Sequence, residues 1–301
     1  MDHKFKKTKA ALFFILILQG ASYAQDEEEI FSKKEINTLA KDVKAKNWSY
    51  QDKLKVFSSK DLKKIPKMIK VNVTKPIILK HDKYAHFLKP KALERAYLFS
   101  RHWRGQLRKA AKKFKVDPEA IVGILHVETQ FGKITGKYLV LSVYASTYVD
   151  AKELLKKGGL GAKMKKRVIR KKNWAQAELS HLLTMNKKYN QDLFTLKGSY
   201  AGAFGHSQFL PSSYMNYAVR AIGKGKPDLF YVPDAIFSVA NYLSRHGYLQ
   251  TSQIETKRNR KAVYRYNHSD VYVDTVIDAA KGVRKIAHAR GHKSLTGFSV
   301  E

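Results

Sequence analysis

Residues 117–132 read DPEAIVGILHVETQFG, an apolar segment that contains one late carboxylate, Glu128. Asp117 is a favourable helix N-cap and proline is favoured at the first helical position, so the segment predicts a helix over residues 118–129. Residues spaced three and four apart share one face of such a helix. That face carries Ile121, Ile124, Leu125 and Glu128. The pattern therefore places a carboxyl group on the apolar side of a helix.

A carboxyl group in that position has an unusual acidity. Burial disfavours the ionised form and raises the pKa, and the negative end of the helix dipole acts in the same direction. We therefore expect Glu128 to stay protonated near neutral pH, as a general acid must. The helix alone equally allows a structural glutamate that is satisfied by a buried arginine or by backbone donors.

A second segment, residues 198–214, reads GSYAGAFGHSQFLPSSY. Its small residues let backbone approach a large ligand, its serines and amide supply neutral hydrogen bonds, and its aromatic rings supply apolar surface. That composition is typical of a sugar-binding cleft. Taken alone, the segment fits a tight loop between two helices at least as well.

The composition narrows the possible functions. The 301 residues include 44% hydrophobic and 12% aromatic side chains, enough for a folded core rather than a disordered chain. There are 58 Lys and Arg against 25 Asp and Glu, a formal charge of +33, which favours a polyanionic partner. The absence of cysteine excludes disulfides, thiol nucleophiles and cysteine-based metal sites.

The first residues predict export. A basic start, MDHKFKKTK, precedes the apolar run AALFFILILQGA and then ASYA, whose small residues suit a signal peptidase. We expect cleavage near Ala24, with an uncleaved anchor as the alternative, and a periplasmic or secreted mature chain. With no cysteine to carry a lipid, a lipoprotein is not expected. Removal of residues 1–24 lowers the formal charge only to +30, so export does not explain the basicity.

The remaining patterns predict a mainly α protein. Residues 25–82 are interpreted as a basic spacer or small cap, with short helices near 33–46 and 50–63 and an extended stretch at 71–79. Residues 89–114 predict one long amphipathic helix. Residues 151–174 hold ten Lys and Arg against one acidic residue. This basic stretch is either a solvated face or a rim that binds polyanions.

Together, the segments VETQFG, GSYAGAFGHSQFLPSSYMNYAV and DAIFSVANYLSRHGY resemble the membrane-bound lytic murein transglycosylase B family (glycoside hydrolase family 103). The resemblance runs from about residue 83 to residue 283. It implies that residues 83–301 form a lysozyme-like, mainly α domain with a short extended or β insert near 250–266. It also implies non-hydrolytic cleavage of the β-1,4 bond between N-acetylmuramic acid and N-acetylglucosamine, which leaves a 1,6-anhydromuramyl end.

The resemblance also implies roles for particular residues. The glutamate of the VET segment is the family's catalytic acid and base, which here is Glu128. The matching segments, including YNHSDVY at residues 266–272, carry the residues that line the sugar site. These substrate-binding positions are Ser199, Gln208, Tyr242, Tyr266, Asn267 and Tyr272.

The family's calcium loop is altered in this chain. The corresponding stretch, RAIGKGKPDLFYVPD at residues 220–234, has Arg220, Lys224 and Lys226 where carboxylates are expected. Calcium needs hard oxygen ligands, so we predict no calcium, and no other metal or cofactor. The expected partners are peptidoglycan glycan strands and, through charge, another anionic polymer of the cell envelope. Nucleic acid is not expected, and the protein is predicted to be a monomer.

Two alternatives remain at this stage. A muramidase would cut the same bond with water, although most glycosidases need a second carboxylate and the cleft segments offer none. A non-catalytic cationic wall-binding or nucleic-acid-binding protein would keep the fold without the chemistry. The intact Glu128 and the complete set of matching cleft residues argue against this second alternative.

Overall fold

The computed structural model describes residues 29–66, 68–69 and 84–292. The predicted signal peptide and the extended stretch at 71–79 lie outside these residues. Two short antiparallel pairs are present, β1 (Glu29–Ile30) with β2 (Lys63–Lys64) and β3 (Tyr138–Leu139) with β4 (Lys197–Gly198). A 3-10 helix spans Ala85–Leu88. The α-helices of the described part are α1 (Lys33–Asp42), α2 (Tyr50–Phe57), α3 (Pro90–His102), α4 (Arg104–Phe114), α5 (Pro118–Thr129), α6 (Val140–Lys157), α7 (Ala162–Tyr189), α8 (Pro211–Tyr217), α9 (Val232–Arg245), α10 (Lys257–Tyr266) and α11 (Asp270–Ala289). The predicted mainly α fold is confirmed.

Two hydrophobic cores organise these helices. The first core joins α3, α4, α5, α9, α10 and α11, and the second joins α1, α2, α6, α7 and α8 with the segment around Phe204. Tyr266 at the end of α10 packs against both cores. The two cores therefore meet at one tyrosine near the end of α5.

Helix α5 lies inside the first core, with every residue from Pro118 to Thr129 buried. The predicted limits are confirmed, and Asp117 is the N-cap residue as expected, but it does not cap the helix through its side chain. The side chain of Asp117 makes no capping hydrogen bond. Its carboxylate instead receives hydrogen bonds from Arg284 (3.1 Å) and from the Tyr248 hydroxyl (2.9 Å). A stronger charged partner on α11 therefore replaces the local cap.

The single helix predicted for residues 89–114 is wrong. The chain breaks at Trp103 (φ −97°, ψ 21°) into α3 and α4. Helix α3 packs on α11 whereas α4 packs on α9, so the two segments must take different directions. The apolar period continues across the break, and for that reason the sequence pattern did not show it.

The extended or β insert predicted near 250–266 is also wrong. Residues 257–266 form helix α10, which begins with Thr256 accepting a hydrogen bond from the backbone of Asn259. The side chain of Asn259 in turn bonds the backbone of Leu249 and Ile254. The buried Asn259 side chain thus satisfies backbone groups of the loop before α10 that would pair with a neighbouring strand in a β insert.

The described part of residues 25–82 packs on the second core. The indole of Trp48 donates to the carbonyl oxygen of Leu183 on α7 (2.9 Å), and Tyr148 and Lys152 of α6 both donate to Asp42. The division of the chain at residue 82 stays a prediction.

The basic stretch at residues 151–174 includes lysines 163, 165 and 166 in the first turns of α7, and these three lysines are exposed. Within the described ranges, no helix has both the length and the apolar character needed to cross a membrane.

Candidate active site

Glu128 lies in the last turn of α5 and is only 2% exposed. The hydroxyl of Tyr272, from the first turn of α11, donates a hydrogen bond of 2.7 Å to its Oε1. Burial raises the pKa of Glu128 to about 8, while the Tyr272 hydrogen bond acts to lower it. At neutral pH the side chain is therefore mainly a neutral acid, as expected from its place on the apolar face.

Three tyrosines surround this carboxyl group. Burial and the nearby Glu128 charge raise the pKa of Tyr84, Tyr266 and Tyr272, so all three phenols are neutral. The rings of Tyr84 and Tyr272 meet edge to face at 6.4 Å. Sequence reasoning missed Tyr84. It lies about 44 positions before Glu128 with no local motif, and only the packing of the 3-10 helix against α11 brings it here.

The segment 198–209 forms a compact series of turns beside the second core. Ser199 and Ala203 pair through a backbone hydrogen bond of 2.8 Å, and Phe204 pairs with Phe209. Gly202 has φ +73°, and a Cβ atom there would lie 2.4 Å from the ring of Tyr144, so only glycine fits. The Tyr144 hydroxyl also donates to the Gly202 carbonyl oxygen (2.9 Å). The glycines therefore serve the folding of the segment itself as well as any ligand approach.

Two of the predicted substrate-binding residues bond within this segment and its surroundings. Ser199 Oγ accepts from the backbone of Ala203 at 3.3 Å. Gln208 is buried with φ 48°, and its amide nitrogen donates to the carbonyl oxygens of Thr135 (3.1 Å) and Gly205 (3.0 Å). Neither side chain has a hydrogen bond to Glu128 among the described residues.

Of the other four predicted residues, the three tyrosines form one aromatic cluster with Glu128. Tyr272 bonds Glu128 directly, and Tyr266, whose hydroxyl donates to the carbonyl oxygen of Ser207 (2.5 Å), lies 4.7 Å from the ring of Tyr242. The Tyr242 hydroxyl donates to the carbonyl oxygen of Arg265 (2.6 Å). Asn267 follows Tyr266 and is 2% exposed, and its Oδ1 has no hydrogen-bond partner in the described part of the chain. That oxygen is therefore a buried acceptor without a partner among the described residues.

The loop at residues 220–234, which corresponds to the family's calcium loop, is stabilised by hydrogen bonds and an ion pair between its own residues. Asp234 accepts from the backbone of Ala221 (2.9 Å) and Asp228 (2.8 Å). Arg220 donates to the carbonyl oxygens of Ile222 (3.3 Å) and Lys226 (3.2 Å), and its Nε lies 3.7 Å from Asp234. A guanidinium thus faces the carbonyl and carboxylate oxygens of this loop. No group of three or more acidic or histidine side chains in residues 29–66, 68–69 and 84–292 could hold a metal. The predicted lack of a metal stays a prediction.

Comparison with known structures shows which fold the chain has. The structure matches a soluble lytic transglycosylase, SltB1 of Pseudomonas aeruginosa, over 85% of this chain and 99% of that one, with a TM-score of 0.70 and 22% identity. It matches Escherichia coli SLT35 in complex with calcium over 86% and 93% of the two chains, with a TM-score of 0.67 and 23% identity. P. aeruginosa SltB3 in complex with NAG-anhNAM-pentapeptide matches over 83% and 79%, with a TM-score of 0.68 and 19% identity. The lysozyme-like transglycosylase fold is therefore confirmed.

The sequence comparison gives the family. Residues 31–258 match the transglycosylase SLT domain, and the chain belongs to this family. A curated relative, membrane-bound lytic murein transglycosylase B of E. coli K12, is 34% identical over 176 residues. The alignment covers 58% of this chain and 44% of that relative, so the chain spans less than half of its length. The resemblance inferred from the motifs is confirmed.

Proposed function

We propose that this protein is a peptidoglycan lytic transglycosylase that cleaves the β-1,4 bond between N-acetylmuramic acid and N-acetylglucosamine. Family membership, the lysozyme-like fold and one buried carboxyl group support this activity. The observation that carries the proposal is the state of Glu128, a carboxyl group with a pKa of about 8 and a single tyrosine hydrogen bond. In the described residues, no second carboxylate contributes to that pKa.

The reaction needs one group that gives a proton and then takes one. Protonated Glu128 donates its proton to the glycosidic oxygen, and the bond from that oxygen to C1 of the muramyl residue breaks. The 2-acetamido group of the substrate stabilises the cationic C1. The carboxylate then takes the proton of the muramyl 6-hydroxyl, whose oxygen bonds to C1. No water is consumed, and Glu128 ends in its starting state.

The surroundings of Glu128 suit both halves of this cycle. Burial keeps the acid protonated before the first step, and the Tyr272 hydroxyl stabilises the carboxylate that exists between the two steps. The attacking hydroxyl belongs to the same sugar, so proximity replaces the second carboxylate of most glycosidases. The burial of Glu128 among tyrosines also limits competition from water.

The proposed substrate contacts are the residues predicted from the sequence. The tyrosines at 242, 266 and 272 and Asn267, whose buried Oδ1 has no partner among the described residues, contact the glycan near the scissile bond. Ser199 and Gln208 contact it from the neighbouring segment. The SltB3 complex with NAG-anhNAM-pentapeptide supports a muropeptide substrate for a related fold.

We further propose that the chain acts in the periplasm after cleavage near Ala24, as a monomer on glycan strands. No cofactor or metal takes part in the proposed reaction, and the formal charge of +30 that remains after removal of residues 1–24 draws the enzyme to anionic envelope polymer. The membrane-bound name of the E. coli relative supports a place in the cell envelope.

The test is mass spectrometry of the products from purified sacculi treated with residues 25–301. We expect muropeptides with 1,6-anhydro ends, one water lighter than reducing-end products. Reducing ends would show that the enzyme is a muramidase instead. If no product forms although the protein binds sacculi, the non-catalytic alternative would replace the proposal.

A further inference from the structure

His206 connects the end of the Glu128 helix to the loop before α9. Its Nε2 lies 3.0 Å from the carbonyl oxygen of Phe230, and its ring is also hydrogen-bonded to the backbone of Phe131, three residues after Glu128. The backbone of His206 contributes to the same connection. Its N–H donates to the carbonyl oxygen of Leu229 (2.8 Å), and its carbonyl oxygen accepts from Thr129 Oγ1 (3.0 Å).

The segment that His206 contacts has an unfavourable backbone conformation. Gln130 and Phe131 have φ values of 49° and 63°, a left-handed pair that non-glycine residues rarely adopt. Gly132 follows with φ +91°, and a Cβ atom there would lie 2.0 Å from the imidazole Cε1. Such a conformation persists only where the surrounding structure holds it. The histidine ring is packed directly against the segment that needs to be held.

We propose that His206 is a positioning residue that holds residues 130–132 against the loop at 228–231 and thereby fixes the carboxyl group of Glu128. The inference rests on the proposed function in one respect, because Glu128 is the acid whose position matters. Nothing in the sequence motif singles out the histidine, since it reads as one more polar residue of the cleft segment.

The chemistry of the imidazole makes the inference testable. Burial lowers the pKa of His206, although its two backbone hydrogen bonds and the charge of Asp228 act in the opposite direction. The ring is therefore neutral at pH 7 and has one N–H, which donates to only one of the two carbonyl oxygens. Asparagine places an amide near Nδ1 and glutamine places one near Nε2. His206→Asn and His206→Gln thus separate the contact with Phe131 from the contact with Phe230.

The experiment combines hydrogen exchange with kinetics on the mature chain. We expect His206→Ala to speed amide exchange about 10-fold in a peptide that covers residues 128–134. We also expect kcat to fall about 10-fold with little change in KM. A loosened helix end admits water, which stabilises the ionised form of Glu128 and lowers its pKa. The alkaline limb of the pH–rate profile should therefore move to lower pH. No charged neighbour opposes this change, because the other polar neighbours of Glu128 are neutral tyrosines. At least one of the two amide variants should recover most of kcat.

The matched control is His181→Ala. His181 is a half-buried histidine on α7, a helix of the second core, and its pKa is also lowered by burial. We expect this variant to leave exchange at 128–134 and the pH limb unchanged.

Three results would overturn the inference. The first is unchanged exchange at 128–134 in His206→Ala. The second is a drop in Tm without a change in kcat or in the pH limb, which would mean a purely structural role. The third is recovery by neither amide, which would mean that ring volume rather than hydrogen bonding matters. The exchange result needs no activity, so a failure of the proposed function would be recognised separately by the absence of anhydro products in the wild-type protein.

Discussion

The acidity of Glu128 results from two opposed contributions. Burial raises its pKa to about 8, and the Tyr272 hydrogen bond prevents a still larger rise. A carboxyl group with a pKa near the working pH is suited to give and then accept a proton. The rise comes from the packing around α5 and the opposing contribution comes from the Tyr272 side chain, so each can be changed separately by mutation.

Glu128→Gln should abolish lysis of sacculi and leave binding intact. Acid–base catalysis contributes about 10²- to 10⁴-fold, so we expect a loss of that size or more in the release of soluble muropeptides. Glu178→Gln is the matched control, because Glu178 is another buried carboxyl group with a pKa raised to about 7, held by Ser212 in the second core. Retained lysis in Glu128→Gln would show that another group is the acid.

The same variant should change how stability depends on pH. The folded pKa of about 8 exceeds the ordinary value of 4.5, so between these values the unfolded wild type ionises while the folded protein stays protonated. The free energy of unfolding of the wild type should therefore fall with rising pH in this window, by at most about 1.4 kcal/mol per pH unit relative to Glu128→Gln. Below pH 4.5 and above pH 8 the two curves should run parallel. Urea unfolding at several pH values measures the difference, and parallel curves throughout would contradict the pKa.

Tyr272→Phe should raise the pKa of Glu128 further, because it removes the hydroxyl that stabilises the carboxylate. We expect the alkaline limb of the pH–rate profile to move upward and kcat to fall about 10-fold, a typical loss for a hydrogen bond of about 1.4 kcal/mol. Tyr248→Phe is the control, since the Tyr248 hydroxyl donates to the buried carboxylate of Asp117 at the other end of α5. A shift of equal size in both variants would show that the effect is not specific to Glu128.

At the scale of elements, α5 is anchored at both ends. Arg284 of α11 reaches Asp117 and Glu119 at the N-terminal end, each at 3.1 Å, and Thr129 bonds the carbonyl oxygen of His206 at the C-terminal end. A helix that is buried on every side has no solvated face to set its rotation. These polar contacts therefore fix the direction in which Glu128 points.

Arg284→Met should destabilise the protein by about 3–5 kcal/mol, because it leaves two carboxyl groups buried without their cation. Arg290→Met removes an equally well-formed pair with Glu94, at 2.9 Å for both contacts, but on the exposed surface. We expect that control to change the free energy of unfolding little. Urea denaturation of both variants makes the comparison. Equal effects would mean that the cluster of Asp117, Glu119 and Arg284 does not anchor α5.

At the scale of the whole molecule, the site lies where two cores meet. Glu128 and Tyr272 belong to the first core, Tyr242 and Phe209 belong to the second, and Tyr266 packs against both. Side chains of both cores therefore lie around one carboxyl group. The positive charge is distributed outside this region, for example on the exposed lysines at the start of α7.

That surface charge predicts a steep salt dependence. The screening length falls from about 10 Å at 0.1 M salt to about 3 Å at 1 M, so contacts between the basic surface and the carboxylates of the wall weaken strongly. Release of soluble muropeptides from sacculi should fall severalfold over this range. Cleavage of glycan strands stripped of stem peptides should change much less, because they present fewer carboxylates. A flat profile on sacculi would leave the charge without a role in substrate binding.

The sequence by itself determined the features that depend on neighbouring residues. The limits of α5, the apolar face that carries Glu128 and the mainly α character follow from apolar periodicity and from proline at a helix start, which act over about four residues. The motifs around Glu128 and at residues 198–214 were enough to predict the family. The predicted roles of Ser199 and Gln208 stay predictions, because their hydrogen bonds serve the cleft loop itself.

Only the tertiary structure decided which distant residues meet. Trp103 ends a helix that the periodicity would continue, because its two halves pack on different partners. Asp117 bonds an arginine 167 residues away instead of its own helix, and Tyr84 and His206 reach the ends of the Glu128 segment from other parts of the chain. The physical reason is the same in each case. The free energy of these contacts comes from burial and from hydrogen bonds between elements, and it overrides preferences that a local pattern can express.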